Sequence, residues 1–264
     1  MRMALRVSSN WADNATNRVA NSINDRGEVV GSAENTTLES TCPAYDPAQM
    51  QFQRYQFKPV LWRNGVVTEL ATVGGDPVGT ALYINNKGQA AGTSGTCSVF
   101  NAQFLLPIHP VHAVVWEADG AAVDLKSLGG NDVSVAGNLA LGINNAGHVV
   151  GFSSLADNVT FHAFLWSKEA GRMVDLGTAP GVANSSAIAI NDSGVAVGIS
   201  ADAAHFLATI WRHGVATDLN SLIPANSPLY LLIACSINAN GQIIGLAVDA
   251  NGNLHGYELN PTGE

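Results

Sequence analysis

Ile190-Asn191-Asp192-Ser193-Gly194-Val195-Ala196-Val197-Gly198 decides the fold, because the pattern returns. Ile-Asn-x-x-Gly recurs at Ile23, Ile84, Ile143 and Ile237, with intervals of 61, 59, 47 and 47 residues along the chain. A short apolar strand ending in Gly follows each copy: Glu28-Val29-Val30-Gly31, Gln89-Ala90-Ala91-Gly92, His148-Val149-Val150-Gly151, Val195-Ala196-Val197-Gly198 and Gln242-Ile243-Ile244-Gly245. The Asn starts a turn by hydrogen-bonding the backbone ahead of it, and the Gly supplies the positive φ that closes a tight hairpin.

Working outward, each unit next reaches a Trp, then a Gly turn, then an acid followed by Leu. The series is Trp62 with Glu69-Leu70, Trp116 with Asp124-Leu125, Trp166 with Asp175-Leu176, and Trp211 with Asp218-Leu219. In the fifth unit His255-Gly256-Tyr257-Glu258-Leu259 takes the place of the Trp strand, and no acidic strand follows it. Four short Val-, Ile- and Ala-rich strands per unit form a β-meander. A meander of about 50 residues cannot bury its faces alone, and a radial arrangement of such sheets is a β-propeller. The expected fold is therefore all-β: a five-bladed β-propeller of four-stranded antiparallel blades, one domain over residues 1–264. The blades fall at about 19–73, 79–130, 137–181, 185–223 and 229–260. Residues 2–8 are expected to supply the missing outer strand of the fifth blade and close the ring.

Composition narrows the partners. The chain carries 21 acidic and 12 basic residues, a net charge of −9, and only 12% charged against 47% hydrophobic residues. With no basic stripe it lacks what binding to nucleic acid or an anionic membrane requires. Its longest apolar run, residues 229–234, falls far short of the roughly 20 residues of a membrane span, so no membrane insertion is expected. Residues 1–7 hold too short an apolar stretch for a signal peptide and lack a small-residue cleavage site, so an exported protein is expected here either in its mature form or as an engineered chain.

His162-Ala163-Phe164-Leu165-Trp166, Met173-Val174-Asp175-Leu176-Gly177 and Ile190-Asn191-Asp192-Ser193-Gly194 together resemble the HAF repeat family, named for His-Ala-Phe and described as extracellular bacterial repeats. The resemblance spans nearly the whole chain. It is strong in units three and four and weaker in unit five and in unit one, where Lys58-Pro59-Val60-Leu61-Trp62 stands in the strand. It implies repeat architecture and an extracellular or periplasmic location, and it implies no particular reaction.

Function is expected where the chain departs from its own repeat. Insertions at residues 32–56 and 93–110 lie between the second and third strands of blades one and two, on one face, and loops of this length are usually functional or disordered. Thr41-Cys42 lies 20 residues before Trp62 and Thr96-Cys97 lies 19 before Trp116. Loop equivalence and export favour a Cys42–Cys97 disulfide over two free thiols, while Cys235 reads as a small buried apolar residue. Tyr45, Phe52, Tyr55 and Phe57 in the first insertion, with Phe100, Phe104 and His109 in the second, suit a carbohydrate, peptide or protein ligand.

Catalytic and metal readings are weaker. His112, His162 and His255 share one repeat position. With Asp124, Asp175 and Asp218 they read as a structural brace, like the His, Asp and Trp brace of WD-repeat propellers, because metal ligands must converge rather than be spread around a ring. Asp25, Asn86, Asn145 and Asp192 are turn residues rather than a calcium shell. No Gly-x-Ser-x-Gly, His-Glu-x-x-His, Cys-x-x-Cys or phosphate loop occurs, and no metal or cofactor is expected. The innermost strands offer a central channel Asn21, Tyr83, Asn138 and Ser236, none of them an acid–base group. A hydrolase or lyase using His109 with Asp46, and a plain scaffold, are the alternatives to a binding module.

Overall fold

Each Ile-Asn-x-x-Gly copy folds into the same turn. The Asn carbonyl accepts the N–H of the Gly three residues on, and the Asn N–H donates to the carbonyl of the residue after that Gly, all at 2.9–3.0 Å. The glycines sit at φ +73° to +88°, where a Cβ is strained. A second glycine closes the following strand for a different reason. A Cβ on Gly31, Gly92, Gly151, Gly198 or Gly245 would collide with the carbonyl oxygen of Val19, Thr80, Leu139, Ser186 or Ile233 on the neighbouring strand. The first strand of each sheet breaks register close to that carbonyl or its partner glycine, so every sheet needs this close approach.

The structure is a computed structural model describing residues 18–40, 42, 55–101, 106–131 and 137–262, with the backbone alone at 18, 98–101 and 106–107. The chain divides into two compact units, Met1–Asp124 and Leu125–Glu264.

The first unit holds two antiparallel four-stranded sheets. One runs β1 (Arg18–Ile23), β2 (Val29–Leu38), β3 (Tyr55–Arg63), β4 (Val66–Glu69); the other runs β5 (Val78–Ile84), β6 (Ala90–Asn101), β7 (Leu106–Trp116), β8 (Ala122–Asp124). β5 lies across β1, β2 and β3. The interface is a cluster of Val30, Leu61, Leu70, Ala81, Ile84, Ala90, Val114 and Trp116, in which the alanines let the backbones approach.

The second unit repeats the scheme with three sheets. They are β9 (Asn138–Ile143) to β12 through β10 (Val149–Ser154), β11 (Phe161–Ser167) and β12 (Arg172–Gly177); β13 (Asn184–Ile190), β14 (Ala196–Ala201), β15 (Phe206–Arg212), β16 (Val215–Asp218); and β17 (Leu229–Ile237), β18 (Ile243–Asp249), β19 (Leu254–Leu259). Val150, Ala163, Leu176, Ala187, Ile190, Ala196 and Trp211 fill one sheet-to-sheet interface. Val197, Ile210, Leu219, Leu231, Ala234 and Ile237 fill most of the next.

The chain is thus all-β, built of five antiparallel sheets, the fifth with three strands among the described residues. Residues 2–8, expected as its fourth strand, lie outside the described residues. No helix among the described residues is long and apolar enough to cross a membrane.

Neighbouring sheets are joined by the turn Asn itself. Asn24 Nδ2 donates to Asn85 O (3.0 Å), Asn144 Nδ2 to Asn191 O (3.0 Å) and Asn191 Nδ2 to Asn238 O (3.1 Å). The next residue adds a second rung: Asp25 pairs with Asn86 and Asn145 with Asp192, each through two hydrogen bonds. The residues weighed as calcium ligands are therefore the links between repeats.

Candidate functional site

The two sheets of the first unit depart from the repeat where β2 meets β3 and where β6 meets β7. Residues 93–110 were expected as a loop, and the ladder instead continues into those of them that the structure describes, 93–101 and 106–110. Gly95 faces Pro110, Thr96 faces His109, Cys97 faces Ile108 and Asn101 faces Leu106. β-Branched Thr93, Thr96, Ile108 and Val111 favour strand, so the extra residues lengthen the hairpin. β6 and β7 reach 12 and 11 residues, against 6 and 7 in β10 and β11.

A disulfide joins Cys42 to Cys97, with Cα atoms 4.8 Å apart. It ties the first insertion to the second hairpin. Beneath it Phe57, Val78 and Ile108 form a small core with both cysteines packed on it. Phe57 is 7% exposed. Its ring, expected to meet a ligand, packs on the inward face of β3 with Val78 and Ile108 and supports the bridge from below. Tyr55, two residues earlier on the same strand, is half-buried at the end of the ladder, opposite Leu38. Gln56 lies between them, accepting from Asn35 Nδ2 (3.3 Å) and donating to Glu39 (3.2 Å), so this end of the hairpin is held by side chains as well as by backbone. Tyr45, Asp46, Phe52 and Phe104 lie outside the described residues, and so does the ring of Phe100.

His109 stands on β7 close to the bridge, and its Nε2 is buried with no partner among the described residues. Next to this platform Lys58 takes the repeat position of His112 and His162. Burial pushes its ammonium pKa down, against the upward pull of Glu69, Asp76 and Glu39.

The repeat histidines all meet carboxylates. His162 Nδ1 lies 2.9 Å from Asp175, the acid expected for it. His112 turns instead to Asp76, at 2.8 Å, where the buried Ser94 hydroxyl also donates to the carboxylate at 2.6 Å. His255 lies 3.2 Å from Asp249. Asp124 lies on β8 opposite Val114, and Asp218 caps the 3-10 turn Leu219–Leu222 by accepting from Asn220 N. These are pairs distributed over separate sheets. Among the described residues no group of three or more His, Cys, Asp or Glu side chains is placed to hold a metal.

Sequence reasoning missed one recurrent residue, the Ser two positions after the strand-closing Gly. Ser94, Ser153 and Ser200 accept the backbone N–H of Val73, Leu128 and Ala179 at 2.9–3.3 Å, pinning the connection from the preceding sheet. Its signal was present as Gly-x-Ser in units two, three and four. Ala33 and Ala247 replace it in the first and fifth.

Two of the four residues expected to line a channel are committed to other bonds. Asn21 donates to Thr80 Oγ1 and Ala81 O, and buried Asn138 accepts from Ser153 Oγ at 2.6 Å, while Tyr83 and Ser236 are exposed. Cys235, expected to be buried, is exposed, because the register break between Ala234 and Ser236 turns it out of the ladder.

A cleft of about 330 Å³ in the second unit is lined by Ile223, Pro224, Pro228, Tyr230 and Asp249, with Asn220 and Ser227. Its polar groups are spent internally. Asn220 brackets Leu231, and Asp249 accepts from Asn251, Asn253 and His255. Those bonds hold the Asp249 carboxyl well below the usual range against a smaller opposing effect of burial. No known protein-family model matches the chain, and no curated protein matches it.

Proposed function

We propose that the chain is an exported β-propeller binding module of the HAF repeat type, recognising a carbohydrate, peptide or protein through the insertions of its first two repeats. The observation that carries this reading is the disulfide between the two hairpins that outgrow the repeat. A bridge over a dedicated small core stiffens a surface that the fold itself does not require, and rigid scaffolds that display variable loops are the usual setting for recognition. A disulfide also suits an extracellular or periplasmic location.

In this reading the five sheets close into a ring, with residues 2–8 as the last strand. Ile84, Ile190 and Ile237 are 8–9% exposed where a preceding sheet covers them, and closure would give the equivalent Ile23, 66% exposed, the same cover.

Glycan and peptide arrays probed with the full chain test the function. Tyr55→Ala and Phe104→Ala should lower binding at least tenfold with an unchanged melting temperature. Retained binding refutes this site. A competing hydrolase or lyase reading rests on the unpartnered His109 Nε2. It requires turnover of an array hit, lost in His109→Ala, and a chain that neither binds nor turns over any probe is a scaffold.

A further inference from the structure

The cleft of the second unit lies between the β16–β17 connection and the β18–β19 turn, and the insertions of the first two repeats take no part in it. Ile223, Pro224, Pro228 and Val248 give it apolar walls, Tyr230 an aromatic side chain and Asp249 a carboxylate, and none of its lining residues is Lys or Arg. Its volume of about 330 Å³ lies at the lower end of the range for small-molecule sites.

The walls are fixed before a ligand arrives. Asn220 closes two bonds on Leu231, at 2.8 and 3.0 Å, and Ser227 N donates to Pro224 O at 2.9 Å. The Ser227 hydroxyl donates to Leu229 O and accepts Leu229 N, and the two prolines fix φ in the same connection. Asp249 already accepts four hydrogen bonds, two on each oxygen. A sugar or a primary ammonium entering here would exchange its hydrogen bonds to water for one side-chain partner at most, the Tyr230 hydroxyl, and that exchange is unfavourable. What the cleft does offer is charge and a π face. The bonds from Asn253 above all, with those from His255 and Asn251, keep Asp249 ionised. Tyr230 is 42% exposed, and burial together with the charge of Asp218 raises its hydroxyl pKa, so the field of a second carboxylate reaches it.

We propose that this cleft binds a quaternary ammonium group, its methyl groups against Ile223, Pro224 and Pro228 and its charge shared between the Tyr230 ring and the Asp249 carboxylate. Such a cation is apolar on its outside and donates no strong hydrogen bond, so it loses little by entering a site whose acceptors are taken. An aromatic face and a negative field are what attract it. The site lies wholly within the second unit and depends neither on ring closure nor on the insertions of the first two repeats.

Choline titrated into the ¹⁵N-labelled full chain should shift the Tyr230 and Ala250 amide resonances saturably. Ethanolamine, which has a primary ammonium, and the neutral alcohol with carbon in place of the choline nitrogen should each bind about tenfold more weakly. Tyr230→Phe keeps the ring and should bind choline as the native chain does, whereas Tyr230→Leu should weaken it about tenfold. Asp249→Asn keeps the Oδ1 that accepts Asn251 N and Asn253 N, removes the charge, and should weaken choline by a similar factor. Added sodium chloride reads the charge without any substitution: it should weaken choline and leave the neutral alcohol unchanged. No saturable shift, equal binding of the neutral alcohol, a salt-independent choline affinity, or unchanged affinity in Tyr230→Leu overturns the proposal.

Discussion

The turn asparagine does two jobs that are separable by chemistry. In Asn144 the carbonyl Oδ1 accepts His148 N at 2.9 Å, shaping the turn, while Nδ2 donates to Asn191 O and joins two sheets. Asn144→Asp keeps the first and removes the second, so it should cost about 1–2 kcal/mol in chemical denaturation. A cost near zero would mean that the link between sheets contributes nothing. The turn role was legible in the sequence, because Asn-x-x-Gly has a local mechanism. The inter-sheet donation was not, since its acceptor lies 47 residues away. Glu28 is a second case. Burial raises its pKa, but Asn24, Arg26 and Arg63 together outweigh that and hold it below the usual 4.5. The carboxylate therefore stabilises the fold above about pH 4.5, and that contribution is lost as pH falls through its lower folded value. Glu28→Gln should flatten the acid limb of a stability–pH curve; an unchanged limb contradicts the role.

At the scale of elements, the lengthened hairpins and their bridge form one object. Phe57 and Tyr55 share β3 but differ in role. Phe57→Ala opens a cavity under the bridge and should cost about 3 kcal/mol, whereas Tyr55→Ala should cost under about 1 kcal/mol and act on binding. Equal destabilisation by the two would dissolve that distinction. Removing both bridging cysteines, separated by 55 residues, should cost about 2–4 kcal/mol, read from thermal melts with and without the substitutions. Matching Thr-Cys positions made the pairing readable in advance. The continued strand pairing was harder to read, because Gly95 and Pro110 look like breakers. The ladder passes them at a register shift, where Gly95 leaves room for the carbonyl of His109.

At the scale of the molecule, the strand pattern of five meanders could be read from the repeat, because every strand is local to its turn and its Trp. What escaped the pattern is long-range: which acid each histidine meets, as His112 shows by choosing Asp76, and which way Cys235 points. Closure belongs to this scale too. On the proposal that residues 2–8 close the ring, deleting residues 1–10 should lower the melting temperature by several degrees; an unchanged melt sinks that proposal. The most direct measurement places spin labels at Asp25→Cys and Ala239→Cys in a Cys235→Ser background and reads their separation by pulsed electron resonance. These positions are the same turn site in the first and fifth repeats, so a closed ring predicts backbones about one sheet spacing apart, roughly 10 Å. An open stack of five sheets predicts four spacings, roughly 40 Å, and that result would contradict the account.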